Sequence, residues 1–289
     1  MIELGVVLGS CVAGVVVGLT GMGGGALMMP MLVLGFGVPE VTAISCDVIA
    51  ATAMKPVGAA VHLKHGSVRK DLALWLMVGS VPAALVSPML LRLISDAGQA
   101  QTLMRPIVGG TLMVAALAMV ARSLLKRAHP DSSSLVGVPV RRWQTVLIGV
   151  VGGLVVGMTS VGSGSLMLVL LMWLYPRMTG SELVGTDLVQ AVPLVLAAGI
   201  GHLLFGHVDW WLTLSIVLGT VPGIYFGARL SARAKDSYIR PIIASVLVAL
   251  GLKLFGASNL AMVFGAAVSL AAMALSSARD KRRPATESA

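Results

Sequence analysis

Two glycine-rich runs, one lysine and two aspartates, all inside apolar stretches, are the residues here with chemistry to offer. Gly18 to Met28 reads Gly-Leu-Thr-Gly-Met-Gly-Gly-Gly-Ala-Leu-Met, and Gly157 to Met167 reads Gly-Met-Thr-Ser-Val-Gly-Ser-Gly-Ser-Leu-Met. A glycine turn that opens a helix presents unpaired backbone N–H groups and the positive end of a helix dipole, and together these hold an anion. On that reading half-helices start at Ala26 and Ser165. Gly23, Gly24, Gly25, Gly162 and Gly164 let backbone approach the ligand, and Thr20, Thr159, Ser160 and Ser163 add hydroxyl donors. The plainer alternative is close helix packing through small residues. The first run also fits the dinucleotide pattern G-x-G-x-x-A, a match rejected because no strand and no βαβ unit flanks it.

Lys55 falls near the middle of an apolar stretch, where a charged lysine costs roughly 2.5–3.5 kcal/mol on insertion scales and must find a partner or water. Asp47, Ala51 and Lys55 share one helical stripe at i, i+4, i+8. A water-bridged Asp47–Lys55 link is one use of that stripe, and a structural charge paired inside the bundle is the other. Asp47 and Asp187 are candidates for carrying protons, as are His62 and His202; the alternatives are helix-end and interfacial hydrogen bonding. His62-x-x-His65 has helical metal-ligand spacing, but the second half holds Phe205 where the first has His65, so no metal site is expected. Cys11 and Cys46 read as small packing residues.

These residues need a membrane to position them. Of 289 residues 57% are hydrophobic and 11% charged, with mean hydropathy +0.93, far from the quarter charged of a soluble domain. The formal net charge of +9 lies in short joints between apolar runs, so it reads as membrane orientation, not as a nucleic-acid face. The expected elements are a glycine-interrupted segment over 2–36 and spans at 42–64, 71–94 and 105–125. A polar linker follows over 126–142, then a second interrupted segment at 143–175 and spans at 180–205, 209–231, 238–255 and 259–278.

The halves repeat. Besides the glycine runs at an offset of 139, Asp47 pairs with Asp187, His62-Leu63 with His202-Leu203, and Gly79 and Pro82 with Gly219 and Pro222, at an offset of 140. Lys55 has no such twin, because Val195 stands in the equivalent place. The joint with Lys64, Arg69 and Lys70 corresponds to Gly206-His207-Val208-Asp209, which has no Lys or Arg. Placing the basic joints at 64–70, 126–142, 229–240 and 279–283 inside makes every full span alternate, provided that each interrupted segment enters and leaves on one side. Residues 2–17 make about 24 Å of helix and 26–36 about 17 Å, against a core of about 30 Å, which suits a hairpin. The expected fold is therefore an all-α polytopic membrane protein of two inverted-topology repeats (1–125 and 143–255). Each repeat opens with a glycine-broken re-entrant helix pair followed by three spans. A cytoplasmic linker at 126–142, an extra span at 259–278 and a cytoplasmic tail at 279–289 complete it, with the N-terminus outside.

A glycine-rich opening to each half, then an acidic residue and a later His-x-x-x-Gly, resembles the TauE/SafE sulfite exporter family. The carrying residues are Gly18 to Gly25 with Pro30, Asp47, His62 and Gly66, and in the second half Gly157 to Gly164, Asp187, His202 and Gly206. The second copy departs from the pattern at Ser160, Ser163 and Val169. The resemblance implies an inner-membrane carrier for sulfite, sulfonates or related sulfur-containing anions, driven by the proton gradient, with no cofactor. Its expected partners are the small anion, protons, the lipid bilayer and a second copy of the chain in a homodimer. The expected function is a secondary anion transporter with alternating access and no catalytic residues. The alternatives weighed are a passive anion channel, a divalent-metal carrier using the aspartates and His62, and an intramembrane hydrolase using Ser163 or Ser165 with His202.

Overall fold

The structure, a computed structural model, describes residues 2–20, 24–64, 66, 68–94, 97–124, 139–231 and 236–282, and every regular element among them is a helix. In order these are α1 (Leu4–Thr20), α2 (Gly25–Pro30) with a π-helical turn (Met31–Gly35), α3 (Glu40–Lys64), α4 (Lys70–Ile94) and α5 (Ala97–Leu124). The second half supplies α6 (Arg142–Thr159), α7 (Leu166–Leu174), α8 (Gly180–Phe205), α9 (Trp210–Ser231), α10 (Asp236–Leu254) and α11 (Asn259–Arg282).

Local chemistry sets several ends. Thr179 and Glu182 form a capping box that starts α8. Asp209 accepts from the Trp211 and Leu212 N–H groups at 2.9 and 3.1 Å and so caps α9. Pro30 has no N–H to give, and directly after it the helix widens into the π turn.

Five helical stretches are long and apolar enough to cross a membrane: Glu40–Ala60, Lys70–Leu93, Arg142–Thr159, Ser181–Phe205 and Trp210–Gly227. Two differences from the sequence expectation follow. The first arm of the second interrupted segment, α6, reaches crossing length by itself, because its 18 residues run unbroken up to Ser160. Helices α5, α10 and α11 run over 28, 19 and 24 residues and coincide with the expected spans at 105–125, 238–255 and 259–278. Helix α5 starts earlier than expected, at Ala97. The expected linker at 126–142 falls outside the described residues up to position 138, and the tail does so from 283.

Each glycine-broken pair folds back on itself. Phe36, just past the π turn, lies against Gly5 and Gly9 at the start of α1. In the second half, Tyr175, just past α7, bonds through its hydroxyl to Thr145 Oγ1 at 2.6 Å and accepts from the Arg141 N–H at 2.9 Å. Both hairpins therefore return to the end they left.

The halves interlock by exchange. Helix α1 lies parallel along α9, with Gly219 against Val7 and Cys11, and Gly227 against Val15. Helix α6 lies parallel along α4, with Gly79 against Val146 and Val150, and Gly157 against Ala84 and Ser87. At an offset of 139 or 140 the Gly219 and Gly79 contacts are one contact made twice, as are Gly14 against Thr220 and Gly153 against Ser80. A Cβ on Gly79 or Gly219 would run into a carbonyl oxygen, so close backbone approach accounts for glycine at both positions. Equivalent helices cross antiparallel. Gly58 of α3 meets Leu188 of α8 while Gly199 meets Thr52 and Ile49, and Gly109 of α5 meets Leu254 of α10 while Gly251 meets Met113.

Candidate functional site

The antiparallel crossing of α3 and α8 carries the site, and the two hairpin tips close over it. Helix α6 ends where Ser160 turns left-handed (φ 58°), and Gly162 (φ 118°) and Gly164 (φ 91°) complete a turn that side chains seldom tolerate. The N–H groups of Ser165 and Met167 then bond to the Gly162 carbonyl at 3.3 and 3.2 Å and start α7. From the first half, Gly25 presses against the backbone carbonyl of Ser160 so closely that a Cβ there would collide with it, and Gly24 faces Met54. The two tips thus touch, one from each half.

Around that contact sit three groups of opposite charge. Lys55 is 7% exposed, and Asp47 and Asp187 are 1% exposed each. The Lys55 ammonium donates to Ser163 Oγ at 2.7 Å. Ser160 Oγ donates to Asp47 Oδ2 at 2.8 Å, while Asp47 Oδ1, fully enclosed, has no hydrogen-bond partner. Asp187 Oδ1 accepts from Gln190 Nε2 at 2.9 Å. Gln190 in turn accepts from Ser80 Oγ at 2.9 Å. Neither carboxylate pairs with Lys55 directly; among the described residues the ion pairs are Arg69–Asp71 and Arg105–Glu40.

The structure thus gathers Gly24, Gly25, Lys55, Ser160, Gly162, Ser163 and Gly164 with Asp47 and Asp187 in one cluster. Thr159 lies beside it, fully buried, with its hydroxyl engaged inside its own turn with the Val155 and Val161 carbonyls at 2.7 and 3.1 Å. His202 stands behind the tip. Its Nε2 lies 2.7 Å from the Gly157 carbonyl and so carries a proton to donate, and its Nδ1 lies 3.0 Å from Ser45 Oγ. It links the end of α6 to α3 two residues before Asp47. Gly23 and the side chains of Thr20 and His62 lie outside the described residues.

Sequence reasoning missed Gln190 and Ser80, which extend the Asp187 bond network onto α4. The signal available was the i, i+3 spacing of Asp187 and Gln190 in an apolar helix. Among the described residues, no group of three or more His, Cys, Asp or Glu side chains could hold a metal ion. The cluster brings one lysine, two serine hydroxyls and two carboxylates together in an enclosed place. Water-poor surroundings strengthen each interaction among them.

The sulfite exporter TauE/SafE family pattern matches residues 6–254. The chain is 35% identical over 254 residues to "Probable membrane transporter protein YjnA" of Bacillus subtilis (strain 168), covering 87% of this chain and 99% of that protein. It is 26% identical over 246 residues to "Probable membrane transporter protein YdhB" of the same organism, covering 81% and 95%. No solved structure matches. The chain belongs to the sulfite exporter TauE/SafE family, and it is a multi-pass membrane protein.

Proposed function

We propose that the chain is a secondary transporter for small sulfur-containing oxyanions, sulfite or organosulfonates, coupled to protons. The observation that carries this reading is the Lys55–Ser163 contact at 2.7 Å, with Asp47 and Asp187 buried on the same two crossing helices, α3 and α8. An enclosed lysine hydrogen-bonded to a neutral hydroxyl is a cation with capacity left for an anion. Family membership and the transporter names of the Bacillus relatives support the substrate class and the activity.

Charge counting supports the coupling. With Lys55, Asp47 and Asp187 all ionised, the enclosed set carries one negative charge, the wrong sign for an anion. One proton makes the set neutral, and a second leaves the Lys55 cation to bind. The unpartnered Oδ1 of Asp47 is the atom where a proton is easiest to receive. Substrate and protons then enter together, and they leave together when the site opens to the other side.

The duplicated contacts of α1 on α9 and α6 on α4, and the antiparallel pairs α3–α8 and α5–α10, support two inverted-topology repeats that rock about the site. The basic ends at Arg69, Arg141 and Arg229 support placing that end in the cytoplasm of a bacterial inner membrane. The test is flux of radiolabelled sulfite and taurine-class sulfonates in proteoliposomes. Concentrative, uncoupler-sensitive movement of either is expected from the wild type. Downhill flux indifferent to the gradient would make it a facilitator, and no flux of either would remove the substrate assignment.

A further inference from the structure

The two ends of the helix bundle carry equivalent contacts with the charges inverted. At one end the Asp209 N–H meets Cys46 Sγ at 3.4 Å; at the other the Arg69 N–H donates to Thr186 Oγ1 at 3.1 Å. Asp209 and Arg69 are 140 positions apart, as are Thr186 and Cys46. The same holds one helix away. The Glu3 N–H donates to Ser215 Oγ at 3.2 Å, and its equivalent Arg142, 139 positions on, lies 5.3 Å above the ring of Trp75, the equivalent of Ser215. Glu3 and Asp209 line a cavity of about 220 Å³ with Thr42 and Trp211, and it contains no cationic residue. The equivalents of those four are Arg142, Arg69, Glu182 and Asp71. Glu3 and Asp209 at one end thus stand where Arg142 and Arg69 stand at the other, with the Arg105–Glu40 pair beside the first and Asp71 and Glu182 beside the second.

At its own end, Arg69 holds Asp71 in a two-point bond, Nε to Oδ1 at 3.0 Å and a terminal nitrogen to Oδ2 at 2.6 Å. The Arg69 side chain is 11% exposed and Asp71 is 51% exposed. A planar guanidinium fork matched to two oxygens suits a sulfite or sulfonate oxyanion as well as it suits a carboxylate. Asp71 therefore occupies the fork as an internal substitute that an arriving anion can displace into water.

We infer that Arg69 is the capture residue for the anionic substrate at its own end, and that Asp71 competes with substrate for it. The opposite end, with Glu3 and Asp209, disfavours rebinding. The inference rests on the reading of the chain as an oxyanion transporter, and it makes the two faces unequal in affinity. That inequality is a difference in saturation between the two faces which the central site alone does not contain.

The test is initial flux of the anion that the wild type carries. It is measured from each face separately in proteoliposomes of one orientation, sided by a cleavable tag fused after Ala289. R69Q should raise KM at the Arg69 face roughly tenfold, the usual scale for losing a charge-assisted bond, and leave KM at the other face unchanged. D71N should lower KM at the Arg69 face. The opposite signs matter, because an ion pair with only a structural role would weaken both variants alike and on both faces. R69K, which keeps the charge and loses the fork, should fall between wild type and R69Q. D209N, which keeps the helix cap, should not raise KM at its face. Equal effects of R69Q on both faces, or a shift of R69Q and D71N in the same direction, would overturn the inference while leaving the transporter reading intact. A wild type that carries no oxyanion at all would overturn both.

Discussion

Lys55 Nζ lies 2.7 Å from Ser163 Oγ, a contact that spans 108 positions of sequence and ties α3 of the first half to the hairpin tip of the second. Neither partner is duplicated: Val195 occupies the place equivalent to Lys55, and Gly24 the place equivalent to Ser163. The duplication supplies the frame, and the site is made by breaking it. Ser160, the other departure from the glycine pattern, likewise bonds to Asp47.

Replacing Lys55 by Gln should leave a folded protein, because an amide still reaches Ser163 and the cost of an enclosed charge is removed. Oxyanion flux should fall at least tenfold. Thermal unfolding in detergent and transport in proteoliposomes separate the two effects. A stable, fully active K55Q would make the lysine structural.

Asp47→Asn and Asp187→Asn should not behave alike. Asp187 is held by Gln190, whereas one oxygen of Asp47 has no partner. D47N should still exchange labelled for unlabelled anion and lose gradient-driven accumulation. D187N should disturb the Gln190–Ser80 network and lower both. Measuring exchange beside net accumulation tells them apart, and accumulation unchanged in D47N would remove Asp47 from the coupling.

Gly25→Ala should be among the most damaging single changes in the chain, since its methyl group would meet the Ser160 carbonyl and crowd the Asp47 carboxylate. A loss of about 2 kcal/mol or more is expected from overpacking two backbones. A lower melting temperature in detergent reads it. Gly24→Ala, with only the flexible end of Met54 nearby at 3.6 Å, should be tolerated.

His202→Ala should unfasten the α6 end from α3, by loss of the bonds to Gly157 and Ser45. A fall in stability of about 1–3 kcal/mol is expected for the exposed or emptied partners. Retention of proton coupling in the folded fraction of H202Q would assign the residue to positioning, and loss of coupling alone would assign it to the proton path.

Much of this was legible in the sequence because membrane folding has few solutions. The glycine runs marked the hairpin tips, and Asp47 and Asp187 the helices facing them. The register of Gly79 and Gly219 reported the duplication, and both prove to be backbone-contact sites. The partnership of Lys55 was not legible. The helical stripe linked it to Asp47 on its own helix, whereas its ammonium donates to Ser163 on the hairpin of the other half, which the antiparallel crossing of α3 and α8 brings beside it. Crossing direction is a tertiary fact that no spacing within one helix encodes. Thr159 shows a second limit, for a hydroxyl beside a glycine turn serves that turn as readily as a ligand. The full length of α6 shows a third, because a glycine run bounds a helix without fixing how deep it enters.

The most direct test of the central claim is accumulation of sulfite and sulfonate in wild-type proteoliposomes, with and without an imposed pH gradient, beside K55Q under the same conditions. Accumulation that follows the gradient in the wild type and disappears in K55Q is the expected result. Equal accumulation by both proteins, or flux in the wild type that ignores the gradient, would contradict a proton-coupled anion site built on Lys55.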